Sequence, residues 1–379
     1  MATNVPPALQ CRGCGSRDTV RVVDLGAQPA SDHFPLASDP SEDPRWPLEL
    51  WLCTACTLVQ LGPVDPGLTE PPRAIESATS RDHARQSVGE IFTERPSLKG
   101  AAVYEFASHH GGSWLDELRQ HGCRSAAAHE PADLVVDVHA LAHEVAVGDA
   151  IRVRAQRLAT GGLLVLEFHH LLLLYLEGQF DTVRHGHWSY LSLRALQNLT
   201  VPHGLVVLSA QVEPVFGGSL RATLAHRDAG LQPDSSVESV LADEGSAGLA
   251  DADALARFQN GAASSAVALH NYLAALKEDG KSVAGYGAPS KAPVLLGLAG
   301  VDDTLLPYTV DASPAKHGRR LPGCLIPIHP VAELRRARPD VVLVLTWDIA
   351  HEVIAQLEAD GGWGAEYVVP LPRPHALAQ

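Results

Sequence analysis

Hydrophobic positions along the chain change their period several times, and each change marks an element. Ahead of Pro96, residues from Arg81 to Arg95 carry apolar positions at helical spacing, which predicts a helix. Ala101–Ala107 is then a short apolar run that breaks at His109-His-Gly-Gly112, the pattern of a strand entering a glycine loop, and Ser113–His121 predicts the next helix. Asp133-Leu-Val-Val-Asp-Val138 and Gly161–Phe168 read as buried strands, with a helix between them over Asp149–Leu158. Strand, helix, strand implies a parallel sheet, and ligands in such sheets sit at the carboxyl ends of the strands. Here those ends carry residues 107–110, 139–143 and 167–170.

A longer helix follows over Asp253–Asp279, with Leu255, Phe258, Ala262, Val267, Leu269, Leu273 and Leu276 spaced for one apolar face. After Gly280 the αβ pattern returns in Ser282–Lys291, Leu305–Asp311, Pro339–Trp347 and Tyr367–Pro370, which predicts a second doubly wound sheet. Its glycine loop, Gly285-Tyr-Gly-Ala-Pro-Ser-Lys291, loosely matches a nucleotide fingerprint and makes Lys291 a candidate phosphate contact. Near the amino end, Trp46–Leu52 reads as a strand returning to a cysteine pair.

The cysteines change the picture most. Cys11-Arg-Gly-Cys14 and Cys53-Thr-Ala-Cys56 are two CxxC pairs, while Cys123 and Cys324 show no such spacing. Doubled pairs place four thiolates on one tetrahedral ion, most naturally zinc, and a closed four-sulfur site holds a small domain together instead of opening to substrate. Lys and Arg number 29 against 44 Asp and Glu, a net charge of −15 that argues against a nucleic-acid partner. The longest greasy stretches, Leu163–Leu166 and Leu171–Leu174, are too short for a bilayer and are broken by Glu167, His169 and His170. With no secretory pattern at the start, a cytoplasmic protein is expected. At about 150 residues per domain, the expected organisation is an α/β chain with a small zinc-ribbon-like domain over 1–68 and two Rossmann-like doubly wound domains over 69–250 and 251–379.

Four blocks occur together in one order: Cys11-x-x-Cys14 with Asp24-Leu-Gly-x-Gln-Pro29 and Cys53-x-x-Cys56-x-Leu-Val-Gln60; Gln179-Phe-Asp-Thr-Val-Arg-His-Gly-His-Trp-Ser-Tyr190; Gly285–Lys291; and Lys316-x-Gly-Arg-x-Leu-Pro-Gly-x-x-Ile-Pro327. The set resembles the sugar C-methyltransferase family over nearly the whole chain. The resemblance implies a zinc domain, a central S-adenosylmethionine-binding Rossmann-like domain and a Rossmann-like C-terminal domain. It implies methylation of the carbon beside the ketone of a nucleotide-linked 4-keto-deoxysugar during antibiotic synthesis. That chemistry needs a base for an acidic C–H and a stabilised enolate. The family's Tyr-His-Glu-His segment is matched by Arg184-His185-Gly186-His187, which implies His187 as the base, with His185, Tyr190 and the His143 of Ala142-His143 around it. Tyr286, Lys291, Lys316 and Arg319 are the implied substrate contacts, between the central and C-terminal domains.

The chain also departs from its relatives. The donor-binding loop of the family, Glu-Ile-Gly-Ser-Asn-Asp-Gly, is Glu105-Phe-Ala-Ser-His-His-Gly111 here. The implied cofactor contacts are thus Glu105, His110, Gly111, Glu130 and Glu167, with a Cβ at Ala107 crowding the approach and a carboxylate replaced by His110. Glu130 survives in Ala128-His-Glu-Pro131, yet the next strand follows at once, so the adenine side is shortened. Ten of the 19 histidines lie between His109 and His187. Two alternatives therefore stand beside methyl transfer. One is a family member without the methyl donor that isomerises, dehydrates, cyclises or hydrolyses its substrate, with a second metal on His109, His110, His139, His143, His169 and His170. The other is a non-catalytic ligand-binding relative.

Overall fold

The computed structural model of the chain describes residues 9–64, 76–108, 112–359 and 361–377. They form two compact units, one of Met1–Val23, Glu49–Leu172 and Gly186–Leu255, the other of Asp24–Leu48, Leu173–His185 and Ala256–Gln379. A four-stranded sheet of order β1-β2-β3-β8 joins β1 (Thr19–Pro29), β2 (Arg45–Cys53), β3 (Val59–Leu61) and β8 (Ser189–Tyr190). The run Trp46–Leu52 becomes β2 as expected, with Leu50 opposite Leu61 and Val59 opposite Tyr190.

The main sheet of the first unit has the order β5-β4-β6-β7-β10-β9. Its strands are β4 (Ala102–Phe106), β5 (Arg124–Ser125), β6 (Ala132–Val138), β7 (Leu158–His169), β9 (Leu205–Glu213) and β10 (Ser219–His226). β5, β4, β6 and β7 run parallel, and β10 lies antiparallel to both β7 and β9. Alternate side chains feed two cores, as the pleat requires. Leu134, Val136, Leu163 and Val165 pack with Val88 and Ile91 of α1 (Ala78–Glu94) and Leu118 of α2 (Leu115–Gln120). Val135, Leu164, Leu166 and Phe168 pack with Ile151 of α3 (Val147–Arg157), Leu196 of α5 (Leu193–Thr200) and Val240 of α6 (Ser235–Ala247). Both faces are covered, so the strands lack the polar alternation of a half-exposed sheet. Ser77 caps α1 by accepting from the Ser80 N–H, and the helix stops before Pro96, whose ring disfavours helical backbone at Arg95. β7 leads directly into α4 (Leu171–Leu176).

In the second unit the order is β13-β12-β11-β14-β15-β16, from β11 (Val283–Tyr286), β12 (Thr309–Asp311), β13 (Ile328–Pro330), β14 (Val341–Val344), β15 (Glu366–Val369) and β16 (His375–Ala376). All are parallel except β16. The long helix α7 (Ala252–Glu278) precedes the sheet, and α8 (Ala292–Ala299), α9 (Val331–Ala337) and α10 (Ala350–Ala359) complete it. The expected strand over Leu305–Asp311 begins only at Thr309. The N–H groups of Leu305 and Leu306 both close a turn on the Asp302 carbonyl, and Pro307 has no N–H for a ladder. The strand order reverses between β11 and β14, which makes the crevice beyond their carboxyl ends the natural ligand position. Among the described residues, no helix is long and apolar enough to cross a membrane.

Candidate functional site

The four paired cysteines converge as their spacing requires. The Sγ atoms of Cys11, Cys14, Cys53 and Cys56 all lie within 4.8 Å of one another, with Cys11–Cys56 and Cys14–Cys53 each at 3.6 Å. A tetrahedral Zn–S4 site has sulfur–sulfur edges of about 3.8 Å, so the set fits a structural zinc. Sharing with the Cys56 thiol, opposed by burial and assisted by the N–H groups of Cys14 and Gly13, lowers Cys11 to about 5 and readies it as a thiolate ligand. The knuckles also brace the main fold. Arg12 donates its N–H to Gln60 and lays its guanidinium 4.7 Å from the Trp188 ring centre, and Gly148 donates to the Arg12 carbonyl.

At the carboxyl edge of the main sheet, side chains from four segments meet. His139 follows β6 with φ 60°, a strained value for a residue with a Cβ, and its N–H is held 2.7 Å from the Glu167 carbonyl. The Glu167 carboxylate is buried, with His83 Nε2 at 2.8 and 2.9 Å from its two oxygens and His139 Nε2 at 3.4 Å. Burial pushes this acid up, but the hydrogen bonds to His139 and His83 and their charge more than offset it and bring it to about 2. An ionised carboxylate only accepts, so His83 presents Nε2–H. Ser219 Oγ lies 3.2 Å from His139 Nε2.

From His139 the rings continue inward. Its centre is 4.7 Å from that of His169, which is 5.8 Å from His187, and His187 lies 5.1 Å from His143 and 4.7 Å from Tyr190. His143, His187 and Tyr190 are all buried. His143 Nδ1 is 2.9 Å from the Gly186 carbonyl, and because a carbonyl only accepts, neutral His143 carries its lone pair on Nε2. Gly186 has φ 87°, a backbone that glycine adopts without strain. Adjacent imidazoles of this kind can take and return protons near neutrality.

Other expected residues are placed differently. His185 belongs to the second unit, wedged with Nδ1 3.4 Å from the Pro29 carbonyl and Nε2 3.2 Å from the Pro47 carbonyl, a bracing position. Burial lowers its pKa. His170 is bonded at 2.8 Å to Glu244, whose carboxylate also takes the N–H groups of Leu193 and Arg194 at the start of α5. Among the described residues, the four cysteines are the only His, Cys, Asp or Glu set close enough to hold a metal. His139, His143, His169 and His170 do not form such a set by themselves. His109, His110 and Gly111 lie outside the described residues. Sequence reasoning missed His83, Ser219, Trp114 and Phe216.

The acids expected to hold S-adenosylmethionine are spent on internal partners. Glu105 accepts from the Ser113 hydroxyl at 2.5 Å and the Trp114 N–H at 2.6 Å, while burial raises its pKa. Glu130 pairs with Arg124 and the Ala127 N–H, and standing two residues before β6 it lies at the amino ends of the strands, opposite to the edge where the donor would sit. The cavity at the carboxyl edge, lined by His83, Ser108, Trp114, His139 and Phe216 among others, measures about 10 Å³, room for roughly one water. Among the described residues, those at this edge do not fit the methyl donor.

In the second unit, Lys291 at the start of α8 and Trp347-Asp348 beyond β14 meet at the strand reversal. Lys291 Nζ is 2.5 Å from Asp348 and 3.7 Å from the Trp347 ring centre. Trp347 donates its indole N–H to Asp181 at 2.8 Å. Asp181 is wholly buried and burial raises it to about 6, with Lys291 pulling the other way. Its Oδ1 has no hydrogen-bond partner among the described residues. Lys316 donates to the Ala288 carbonyl and Arg319 to the carbonyls of Ala315 and Phe34, so both brace loops. Tyr286 ends β11, buried in the core of this unit, and burial raises its hydroxyl pKa.

Residues 11–66 match the model of a family described as a putative zinc binding domain, and residues 214–372 match the C-methyltransferase C-terminal domain. The C-methyltransferase NovU of Streptomyces niveus is 29% identical over 99% of this chain and 98% of its own length. Two solved structures align more distantly. The magnesium protoporphyrin IX methyltransferase of Synechocystis is 12% identical over 43% of this chain and 88% of its own, with a TM-score of 0.28. An S-adenosylmethionine-dependent methyltransferase from Mesorhizobium loti is 15% identical over 39% of this chain and 98% of its own, at 0.25. Likenesses at these scores carry no functional weight.

Proposed function

We propose that this chain, matched by the C-methyltransferase C-terminal and zinc-binding domain models and similar end to end to NovU, is an enzyme of the C-methyltransferase family that moves a proton at a carbon beside a carbonyl. Its substrate is a small keto metabolite of the nucleotide-linked sugar type, in antibiotic or deoxysugar synthesis. His187 is the base. The buried contact of His187 with His143 and Tyr190 carries this reading. As the C–H bond breaks, its electron pair enters the enolate and the proton passes to an imidazole nitrogen. His143, with its lone pair on Nε2, receives or returns that proton, and the Tyr190 hydroxyl donates to the developing oxyanion.

The test follows a nucleoside-diphosphate 4-keto-deoxysugar in D2O by proton NMR. Wild-type chain is expected to wash out the α-proton. His187→Ala is expected to lose at least about 100-fold in rate with an unchanged melting temperature, the usual weight of a general base. A well-folded His187→Ala that exchanges at the wild-type rate would remove His187 from the mechanism. A second reading, methyl transfer to the same carbon, is favoured by the end-to-end similarity to NovU. It requires a product one methyl group heavier when S-adenosylmethionine is added.

A further inference from the structure

We infer that this chain works without S-adenosylmethionine, because the place where the donor would lie is closed from inside by a histidine–carboxylate plug. The plug is His83 of α1, inserted between the rings of Trp114 and Phe216 at 6.0 and 6.3 Å and bonded to both oxygens of Glu167. Phe216 packs its ring 5.1 Å from that of His139, and both residues hold left-handed backbone, φ 56° and 60°. Such backbone persists only where its surroundings over-determine it, so two strained residues facing each other across the cavity mark a built arrangement. A donor carrying an adenine, a ribose and an amino acid does not enter a space for one water.

Side-chain movement alone does not reopen the site. Withdrawing His83 would strip a buried carboxylate of its closest partner. Even then the ribose-side acid would be missing, because Glu130 stands at the amino ends of the strands and is paired with Arg124. β5 is two residues long, and only the turn Ala126–Pro131 separates it from β6, so no crossover helix or further strand remains to wall an adenine. The edge of the sheet and the pocket above it thus fail for independent reasons.

The inference deepens the proton-transfer reading, since an enolate formed without a methyl donor, and with no neighbouring group expelled, is reprotonated. The proton returns to the same carbon, on either face, or, where that carbon bears a hydroxyl whose proton is given up, to the former carbonyl carbon of the enediolate, and no co-reactant is consumed. The product is then an epimer or a tautomer of the substrate.

The experiment uses the full chain and no sugar, so its outcome does not depend on His187. S-adenosylmethionine and S-adenosylhomocysteine are each titrated calorimetrically to about 1 mM, a generous ceiling for a cofactor site. Backbone hydrogen exchange is recorded with and without the homocysteine. No saturable heat, and unchanged protection over Ala78–Glu94 and the segment from Glu105 to Trp114, are expected. Saturable binding of either compound, or new protection in those segments, would overturn the inference while leaving the base assignment to the exchange assay.

Discussion

Glu167 is the residue on which the carboxyl edge depends, and its environment has a pH signature. Its carboxylate lies near 2 in the folded chain against an ordinary value of 4.5. A depressed acid stabilises the fold above its unfolded pKa and loses that contribution as pH falls through the folded one. Stability is therefore expected to decline between about pH 4.5 and 2, as chemical denaturation at stepped pH would show. Glu167→Gln should flatten that decline and cost roughly 3–5 kcal/mol at neutral pH, the usual penalty for breaking a buried pair. An unchanged acid limb in the variant would mean that Glu167 is not the group responsible. Gly186→Ala is expected to cost about 1 kcal/mol or more through its φ of 87° and to slow exchange by moving the carbonyl that orients His143. At this scale the sequence shows which residue types are present but not their company. His139, His143, His169 and His187 were visible as histidines at strand ends and in a family block. The strain at His139 and the lone pair on His143 Nε2 come from backbone and partners that no spacing encodes. His185, two residues from His187, turned out to face two proline carbonyls.

Elements were easier to read than contacts. The helix α1, the strands β4, β6 and β7 and the long α7 follow from apolar period and from the proline and glycine punctuation around them. α1 held one further signal that was overlooked. Ser80, His83, Ser87 and Glu90 repeat at three- and four-residue steps beside Ala84, Val88 and Ile91, so a polar stripe adjoins the apolar one. Ser80, His83 and Ser87 are buried, and Glu90 pairs with Arg221 of β10. A buried polar stripe points to a partner of opposite character, here Glu167 and Arg221. The antiparallel pair β9 and β10 is punctuated in the same way, by Pro202 and Gly204 before it and by Pro214, Gly217 and Gly218 within it, and it went unread. The zinc module makes the prediction proper to this scale. A Cβ on Gly148 would stand 2.1 Å from the Gly13 carbonyl oxygen, so the close approach of α3 to the first knuckle requires glycine at this position. Gly148→Ala is expected to cost about 1–3 kcal/mol, the range for overpacking, and to lower the melting temperature without altering zinc content. Cys11→Ser should lose zinc and stability together. Full zinc content and wild-type melting in Cys11→Ser would argue against a structural metal.

For the whole molecule, the order of four sequence blocks conveyed the family, and the zinc knuckles and doubly wound sheets conveyed the architecture. The same sequence also carried the departures, in Ala107, the histidines after it and the abrupt step from Glu130 to β6. What it could not convey was the consequence of those changes. They matter because His83 arrives from a helix more than twenty residues earlier in the chain and fills the space above Trp114 and His139. On the donor-free proposal, the chain is expected to rearrange a keto-sugar and not to extend it.

Mass spectrometry of one reaction tests this most directly. The full chain is incubated in D2O with a nucleoside-diphosphate 4-keto-deoxysugar and S-adenosylmethionine, and the recovered sugar is weighed. The expected sugar has gained deuterium at the carbon beside the ketone and has gained no methyl group. A sugar heavier by one methyl group, formed only when S-adenosylmethionine is present, would contradict the donor-free reading and return the chain to methyl transfer.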